Sequence, residues 1–239
     1  MEAIMRAVEK DNLWVIDDLA YKIDAEQLAK TLRIRPGSRN LAELEALIKE
    51  AQPLAAPKAC YREAVIEERG QDWLHIGGQR FDSRVLQVNL ADTRRAFVFA
   101  ATCGLELAGW ADTITDMIWH YWAECIMEQA VYWSGMQLHD HLVEKYMLGH
   151  LSAMSPGSLE NWPITQQVPL FALLGDTQAA VGVQLKESLL MHPTKSISGM
   201  QFEMGADFAS CQLCQRVNCP GRRAPYEETL YEKKYCPTA

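Results

Sequence analysis

The sequence has no block of basic residues. Its 239 residues include 23 Lys and Arg against 31 Asp and Glu, which gives a formal net charge of −8. A protein that binds a polyanion needs a basic face, and the one basic pair, Arg222-Arg223, lies inside a cysteine-rich segment. The acidic balance therefore predicts that nucleic acid is not a partner.

The chain also lacks a long uninterrupted hydrophobic run. Its most apolar stretch, residues 114–148, is interrupted by acidic residues such as Asp116, Glu128 and Glu144. A helix that spans a membrane needs about 20 mainly apolar residues. Residues 1–11 are mixed and charged, unlike a secretory signal. We therefore expect no membrane partner and a cytoplasmic location.

Several motifs of enzyme chemistry are missing as well. The sequence contains no Walker loop and no G-x-G-x-x-G, G-x-S-x-G or H-E-x-x-H pattern. His139 and His141 do not form a metal-binding pair on a helix, because residues two apart point about 200° away from each other. Nucleotide binding and hydrolysis have no support, and whether the chain is an enzyme stays open.

The pattern of apolar residues predicts a mixed fold. Hydrophobic residues make up 49% of the sequence, enough for a sizeable core. Capping-box patterns at residues 24–27 and 40–43 predict two helices with Asp24 and Asn40 as N-caps. Gly77-Gly78 predicts a tight hairpin turn. Strands are predicted over residues 61–68, 73–76, 96–101, 181–191 and 196–204.

The second half of the chain adds further elements. Residues 113–148 predict one long helix or two, with Met and aromatic side chains on most of the surface, so a central position is expected. Residues 152–163, rich in Ser, Pro and Gly, predict a loop. Residues 165–174 predict a short helix.

Four of the seven cysteines lie near the C-terminus: Cys211, Cys214, Cys219 and Cys236. A secreted disulfide framework would spread its cysteines through a shorter chain. The first three follow the spacing C-x2-C-x4-C-P-G, and Cys236 can complete a set of four. Thiolates in such a set suit zinc and iron–sulfur clusters. We therefore predict that these four cysteines bind a metal centre.

The spacing favours a [4Fe–4S] cluster over zinc. Structural zinc usually uses two C-x2-C pairs, or one such pair with two His, whereas residues 206–239 contain no His and the third cysteine has no close partner. Zinc stays open as the alternative, because both accept four thiolates. Cys60 and Cys125 are expected in the core, and packing is also the favoured interpretation of Cys103.

Three segments resemble one known family. Residues 185–200, LKESLLMHPTKSISGM, resemble the L-T-E-S … M-x-P-x-x-S-x-S-G segment of the activation domain of cobalamin-dependent methionine synthase. The Pro156-Gly157 loop resembles the P-G-Y loop that binds S-adenosylmethionine in that family, and the tail resembles that of small stand-alone relatives. The resemblance implies an α+β fold over residues 1–205, with a twisted antiparallel sheet and flanking helices, followed by a cysteine-rich tail over residues 206–239.

The resemblance also implies a role in cobalamin-dependent methyl transfer. In that family the domain docks on the corrinoid-binding module, and one electron plus a methyl group from S-adenosylmethionine restores oxidised cobalamin. We therefore expect an iron–sulfur accessory protein that docks on, or reductively activates, a corrinoid protein, whose cobalamin is a further cofactor. Two alternatives remain: a non-catalytic interaction module with a structural zinc or cluster, and reductive methylation of cobalamin with S-adenosylmethionine.

The sequence departs from the family at the ligand loop. The family pattern is Arg-x-x-Pro-Gly-Tyr, and Ala153 and Ser158 stand here where it has Arg and Tyr. An Arg is the residue that pairs two hydrogen bonds with a ligand carboxylate. The resemblance assigns Glu124, Pro156 and Gly157 to a cofactor site, with Glu124 at the ligand's amino group. The two replacements argue against S-adenosylmethionine binding there.

Overall fold

The computed structural model describes residues 7–10, 12–17, 19–204, 208–216, 218–219 and 222–236. By its internal contacts the chain divides into two compact units. Unit 1 comprises Met1–Cys60, Ala100–Leu138 and Asp176–Ile197. Unit 2 comprises Tyr61–Phe99, His139–Gly175 and Ser198–Ala239. Each unit is therefore assembled from segments that are distant in the sequence.

An eight-stranded sheet organises the described strands. Its order is β1 (Ala7–Lys10), β2 (Leu13–Ile16), β3 (Lys58–Arg69), β6 (Arg95–Thr102), β10 (Ser196–Glu203) and β7 (Leu151–Met154). Strand β4 (Trp73–Ile76) pairs with β3 and with β5 (Gln79–Asp82). The pairs β1–β2, β3–β4, β4–β5 and β7–β10 are antiparallel. This antiparallel sheet with helices agrees with the predicted fold class.

Helices supply most of the core of unit 1. They are α1 (Ala25–Thr31), α2 (Arg39–Ala51), α4 (Leu105–Asp112), the first part of α5 (Met117–Tyr146) and α7 (Thr177–Val181). Asp24 caps α1 as predicted, since its carboxylate accepts from the backbone N–H of Gln27 at 2.9 Å. The predicted cap at Asn40 is wrong. Ser38 caps α2 instead, directly after the turn at Gly37, and Asn40 already lies in the first helical turn.

Helix α5 is a single helix of 30 residues, as one of the two sequence alternatives predicted. The carboxylate of Asp116 begins it by accepting from the N–H groups of Ile118 (2.9 Å) and Trp119 (3.0 Å). One face is buried in the core of unit 1, through Trp122, Ala123, Ile126, Met127, Ala130 and Val131. The expected central position holds for that face only, because Met117, Tyr121, Tyr132 and Met136 are exposed.

Unit 2 contains the predicted glycine hairpin. Strands β4 and β5 pair from Ile76↔Gln79 outward, and both residues of the turn, Gly77 and Gly78, have positive φ angles of 56° and 77°. Around the hairpin lie α3 (Arg84–Asn89) and α6 (Gln167–Leu174), and α6 confirms the short helix predicted from the sequence. The unit also contains α8 (Leu230–Tyr235).

Two predicted segments differ from the structure. Residues 152–163 are not all loop, because β7 occupies their start and pairs Ser152 with Phe202. The strand predicted over residues 181–191 is wrong. Helix α7 ends at Val181, where Gly182 takes a left-handed conformation, and a short hairpin of β8 (Gln184–Leu185) and β9 (Met191–His192) follows. Capping of α7 by Asp176 is the local signal that favours helix there.

The predicted division of the chain at residues 205/206 stays a prediction. Residues 205–207 lie outside the described residues, and the described part of the tail belongs to unit 2 by its contacts. Among the residues that the structure describes, no helix is both long enough and apolar enough to cross a membrane.

Candidate functional site

The first two tail cysteines lie on one tight turn in unit 2. A short 3₁₀ helix covers Ser210–Gln212, and the N–H of Cys214 donates to the carbonyl of Cys211 at 3.3 Å. The side-chain amide of Gln212 donates to Glu227 at 2.6 Å. The turn puts two sulfur-bearing residues within one short loop, as the C-x2-C spacing predicts. Cys211, Cys214 and Cys219 are all partly exposed.

The environment of Cys211 stabilises a thiolate. The backbone N–H of Arg223 donates to Cys211 Sγ at 3.4 Å. Partial burial raises the pKa of the Cys211 thiol, but N–H groups of Arg223 and Ala224 and the positive charges of Arg223 and Arg222 outweigh burial. The pKa of Cys211 therefore lies below its ordinary value. Backbone N–H groups directed at sulfur are a property of loops that bind metal through thiolates.

Cys236 is positioned by helix α8 rather than by the loop. Tyr235, fully buried, donates from its hydroxyl to Asn89 Oδ1 at 2.9 Å, and Lys234 donates to the same oxygen at 3.0 Å. Arg84 Nε donates to the carbonyl of Tyr235 at 2.9 Å. These contacts dock α8 and place Cys236 at an open depression of about 430 Å³, which is also lined by Asp72, Asp82, Ser83, Arg84, Asn161, Tyr231 and Tyr235.

The donor chemistry of the tail fits a thiolate-bound centre, and the arrangement of all four ligands stays a prediction. Within the described part of the chain, no three or more His, Cys, Asp or Glu residues are grouped so that they could hold a metal ion. The observed support is local: the turn at Cys211 and Cys214 and the N–H group directed at Cys211 Sγ.

The remaining cysteines are structural in character. Cys60 and Cys103 are fully buried, and burial raises the pKa of each thiol to about 12. Neither is a thiolate near neutral pH. Cys125 is partly buried on α5, and burial raises its pKa as well. These positions agree with the expectation that all three are packing residues.

The Pro156-Gly157 loop follows β7 in unit 2 and is closed by its own backbone. The N–H of Gly157 donates to the carbonyl of Trp162 at 2.7 Å, and Ser158 Oγ donates to the carbonyl of Ser155 at 2.6 Å. Gly157 has φ +81°, and a Cβ there would lie 2.8 Å from Ile164 Cδ1. The loop therefore requires glycine for its conformation. The Ser158 hydroxyl is engaged within the loop.

Glu124 lies on α5 in unit 1, whereas the Pro156-Gly157 loop belongs to unit 2. Its carboxylate contacts Lys195 Nζ at 3.1 Å and lies 4.0 Å from His120 Nε2. Partial burial lowers the pKa of Lys195, but its hydrogen bond with Glu124 and the nearby charges of Glu124 and Glu128 outweigh burial and raise it. The Lys195 ammonium therefore stays charged and forms an ion pair with the Glu124 carboxylate.

A partly buried polar network in unit 2 was not predicted from the sequence. The hydroxyl of the fully buried Tyr61 lies 3.0 Å from His141 Nε2 and accepts from Lys145 Nζ at 2.8 Å. Burial and the Lys145 charge lower the pKa of His141. His139 contacts a different partner, Gln201 Oε1, at 3.2 Å, which agrees with the prediction that the two His do not form a pair. The i, i+4 spacing of His141 and Lys145 is the only local signal.

A scan against protein-family models finds no match for this chain, and a search of curated proteins finds none either. Among solved structures, the chain is similar to "Crystal Structure of the MetH Reactivation Domain bound to AdoHcy", with a TM-score of 0.60 and 16% sequence identity. The similarity covers 82% of this chain and 80% of that chain. The antiparallel sheet and its helices therefore have a fold similar to that of the MetH reactivation domain.

Proposed function

We propose that this chain is an accessory protein for the reactivation of cobalamin-dependent methionine synthase or a related corrinoid methyltransferase. The observation that carries the proposal is the fold, which is similar to the MetH reactivation domain over 82% of the chain. The segment at residues 185–200 gives independent support from the sequence. In this proposal the protein acts in the cytoplasm, on a corrinoid protein and its cobalamin.

The second part of the proposal is that the tail supplies the electron. Cys211, Cys214, Cys219 and Cys236 would hold a [4Fe–4S] cluster, which when bound supplies one-electron redox chemistry. The N–H of Arg223 directed at Cys211 Sγ supports this assignment, as does the lowered pKa of Cys211. The chain's own contribution is to hold thiolates and to direct positive charge towards them, which raises a cluster's reduction potential.

The third part is that S-adenosylmethionine is not its methyl donor. Ala153 offers only a methyl group where the family has Arg, and Ser158 has no ring and is hydrogen-bonded within its loop. Glu124, the residue that the resemblance assigns to the ligand's amino group, is already paired with the ammonium of Lys195. The bound AdoHcy belongs to the neighbour's structure, and this chain keeps Pro156 and Gly157 but has Ala153 and Ser158 where the family pattern has Arg and Tyr.

Purification without oxygen tests the proposal. We expect brown protein with about four iron and four sulfide per chain, and an EPR signal after reduction. Co-purification with a corrinoid protein, and reduction of its Co(II) cobalamin by the loaded protein, test the function itself. A colourless protein with one zinc per chain would contradict the redox part and leave docking as the role.

Docking alone is the second candidate function, and exposed apolar residues on α5 favour it. Met117 is 84% exposed and Tyr121 59%, and further along the helix Tyr132 and Met136 are exposed as well. Large apolar side chains grouped on one surface mark protein interaction sites. In this candidate the tail carries a structural zinc or cluster, and Cys211→Ala would damage folding and docking together.

A further inference from the structure

The side chain of Arg222 is hydrogen-bonded to the main chain around Cys211 and Cys214, which together with Cys219 we call the cysteine loop. Its Nη1 donates to the carbonyl oxygens of Cys211 at 2.8 Å and Ala224 at 3.0 Å. Its Nη2 donates to those of Cys214 at 2.8 Å and Arg216 at 2.7 Å. The two terminal nitrogens of a guanidinium carry four hydrogens in a fixed plane, which matches these four acceptors. One side chain thus links the main chain at Cys211, Cys214, Arg216 and Ala224.

The backbone of Arg222 reaches the third cysteine. Its N–H donates to the carbonyl of Cys219 at 3.1 Å. Arg222 is therefore hydrogen-bonded to the main chain of Cys211, Cys214 and Cys219, all three cysteines of the close-spaced set. The next residue, Arg223, donates its N–H to Cys211 Sγ.

We propose that Arg222 is the positioning residue of the tail, whose hydrogen bonds hold the main chain at Cys211, Cys214 and Cys219 in one closed arrangement. The inference rests on the proposed function only where it says that this arrangement serves metal binding. Small metal-binding loops without such a device fold only when the metal arrives. Arg222 orders the main chain in advance, and the cysteine side chains still have to converge, because no three of the described His, Cys, Asp and Glu residues are grouped to hold a metal ion.

Lysine cannot replace arginine in this position. An ammonium is a compact charge with three donors, whereas the four carbonyl groups around Arg222 are matched by a planar fork. Arg222→Lys therefore keeps the positive charge and loses the four hydrogen bonds. The variant separates the effect of the charge from the effect of the hydrogen bonds. Arg216→Gln is the matched control. The Arg216 side chain is exposed, and only its main-chain carbonyl contacts Arg222.

Amide hydrogen exchange of the full-length, metal-free, reduced protein tests the closure. We expect exchange at the described residues 208–216, 218–219 and 222–224 to be faster by about tenfold in Arg222→Lys and Arg222→Gln, because loss of the Arg222 hydrogen bonds exposes these amides. Arg216→Gln should match the wild type. Exchange in β6 and β10 reports whether each variant keeps its fold.

Titration of the same proteins with Co(II), followed by the thiolate-to-cobalt absorption band, tests whether the ordered loop serves metal binding. We expect both Arg222 variants to bind Co(II) roughly 10- to 100-fold more weakly, the usual effect of losing a residue that orients metal ligands. Unchanged loop exchange in the folded Arg222 variants would overturn the inference, and so would loss of affinity in Arg216→Gln of equal size. A wild-type protein that binds no metal while its loop stays protected would contradict the proposed function and leave the closure intact.

Discussion

At the scale of single residues, the partly buried network of Tyr61, His141 and Lys145 makes stability depend on pH. The Tyr61 oxygen accepts from Lys145 Nζ at 2.8 Å and lies 3.0 Å from His141 Nε2. Burial and the Lys145 charge hold the pKa of His141 below the ordinary value of 6.5. The unfolded chain therefore binds a proton at this His more readily than the folded chain does.

The sign of the effect follows from that difference. Because the folded-state pKa is the lower one, protonation favours the unfolded chain, and stability falls as the pH drops below about 6.5. We expect the melting temperature of the wild type to fall more between pH 7.5 and 5.5 than that of His141→Gln. His139→Gln, which alters the contact with Gln201, should keep the wild-type pH dependence. Equal pH dependence in the wild type and His141→Gln would contradict the assignment.

At the scale of elements, the β4–β5 hairpin depends on two glycines for different reasons. Both have positive φ angles, which cost alanine about 1 kcal/mol each. A Cβ at Gly78 would meet nothing within 4 Å, whereas a Cβ at Gly77 would lie 2.6 Å from Leu173 Cδ1. Leu173 is buried, so it cannot simply turn away. Gly78→Ala is therefore a matched control for backbone conformation alone.

We expect Gly78→Ala to lower the free energy of unfolding by about 1 kcal/mol, and Gly77→Ala to lower it by about 2–4 kcal/mol, since overpacking adds to the backbone cost. Urea denaturation monitored by tryptophan fluorescence measures both. Equal losses for the two variants would show that the contact with Leu173 contributes nothing and that the turn conformation alone decides.

Element types could be predicted from the sequence wherever a local signal was strong. Gly77-Gly78, the cap at Asp24 and the apolar run of α5 each specify their structure through nearby residues. The strand predicted over residues 181–191 is wrong because Asp176 caps a helix that runs to Val181 and Gly182 ends it in a left-handed conformation. The cap of α2 differs from the prediction because Ser and Asn both cap helices, and the position of the preceding turn decides that Ser38 does so here.

The sequence could predict which residues form the candidate site, but not how those residues are arranged in space. Cysteine spacing indicates which residues can bind a metal, because thiolates have few other uses at that spacing. The role of Arg222 could not be read from the sequence, where it was one of several cations near sulfur. Its hydrogen bonds are to main-chain carbonyls, and no residue pattern records where a carbonyl points. The same holds for Tyr61 and His141, which are 80 residues apart.

At the scale of the whole molecule, the fold and the ligand residues lead to different expectations about S-adenosylmethionine. The fold is similar to a domain solved with bound AdoHcy. Ala153 and Glu124, however, lack what the resemblance assigns to them: Ala153 has no guanidinium for a carboxylate, and Glu124 is paired with Lys195. Each lost hydrogen bond to a charged group is worth about 1.5–3 kcal/mol, or roughly 10- to 100-fold in affinity. A likeness in fold does not restore these contacts.

Calorimetry decides between the two expectations. We expect no heat of binding when S-adenosylmethionine is titrated into the wild-type protein, because both ends of the ligand's amino-acid group lack a free charged partner. Lys195→Ala releases Glu124 and isolates one of the two causes: binding that appears only in this variant would assign the block to the Glu124–Lys195 pair. Tight binding to the wild type would contradict the prediction and support methylation of cobalamin by this chain. In that case the ligand would have to be held by residues other than an Arg at position 153.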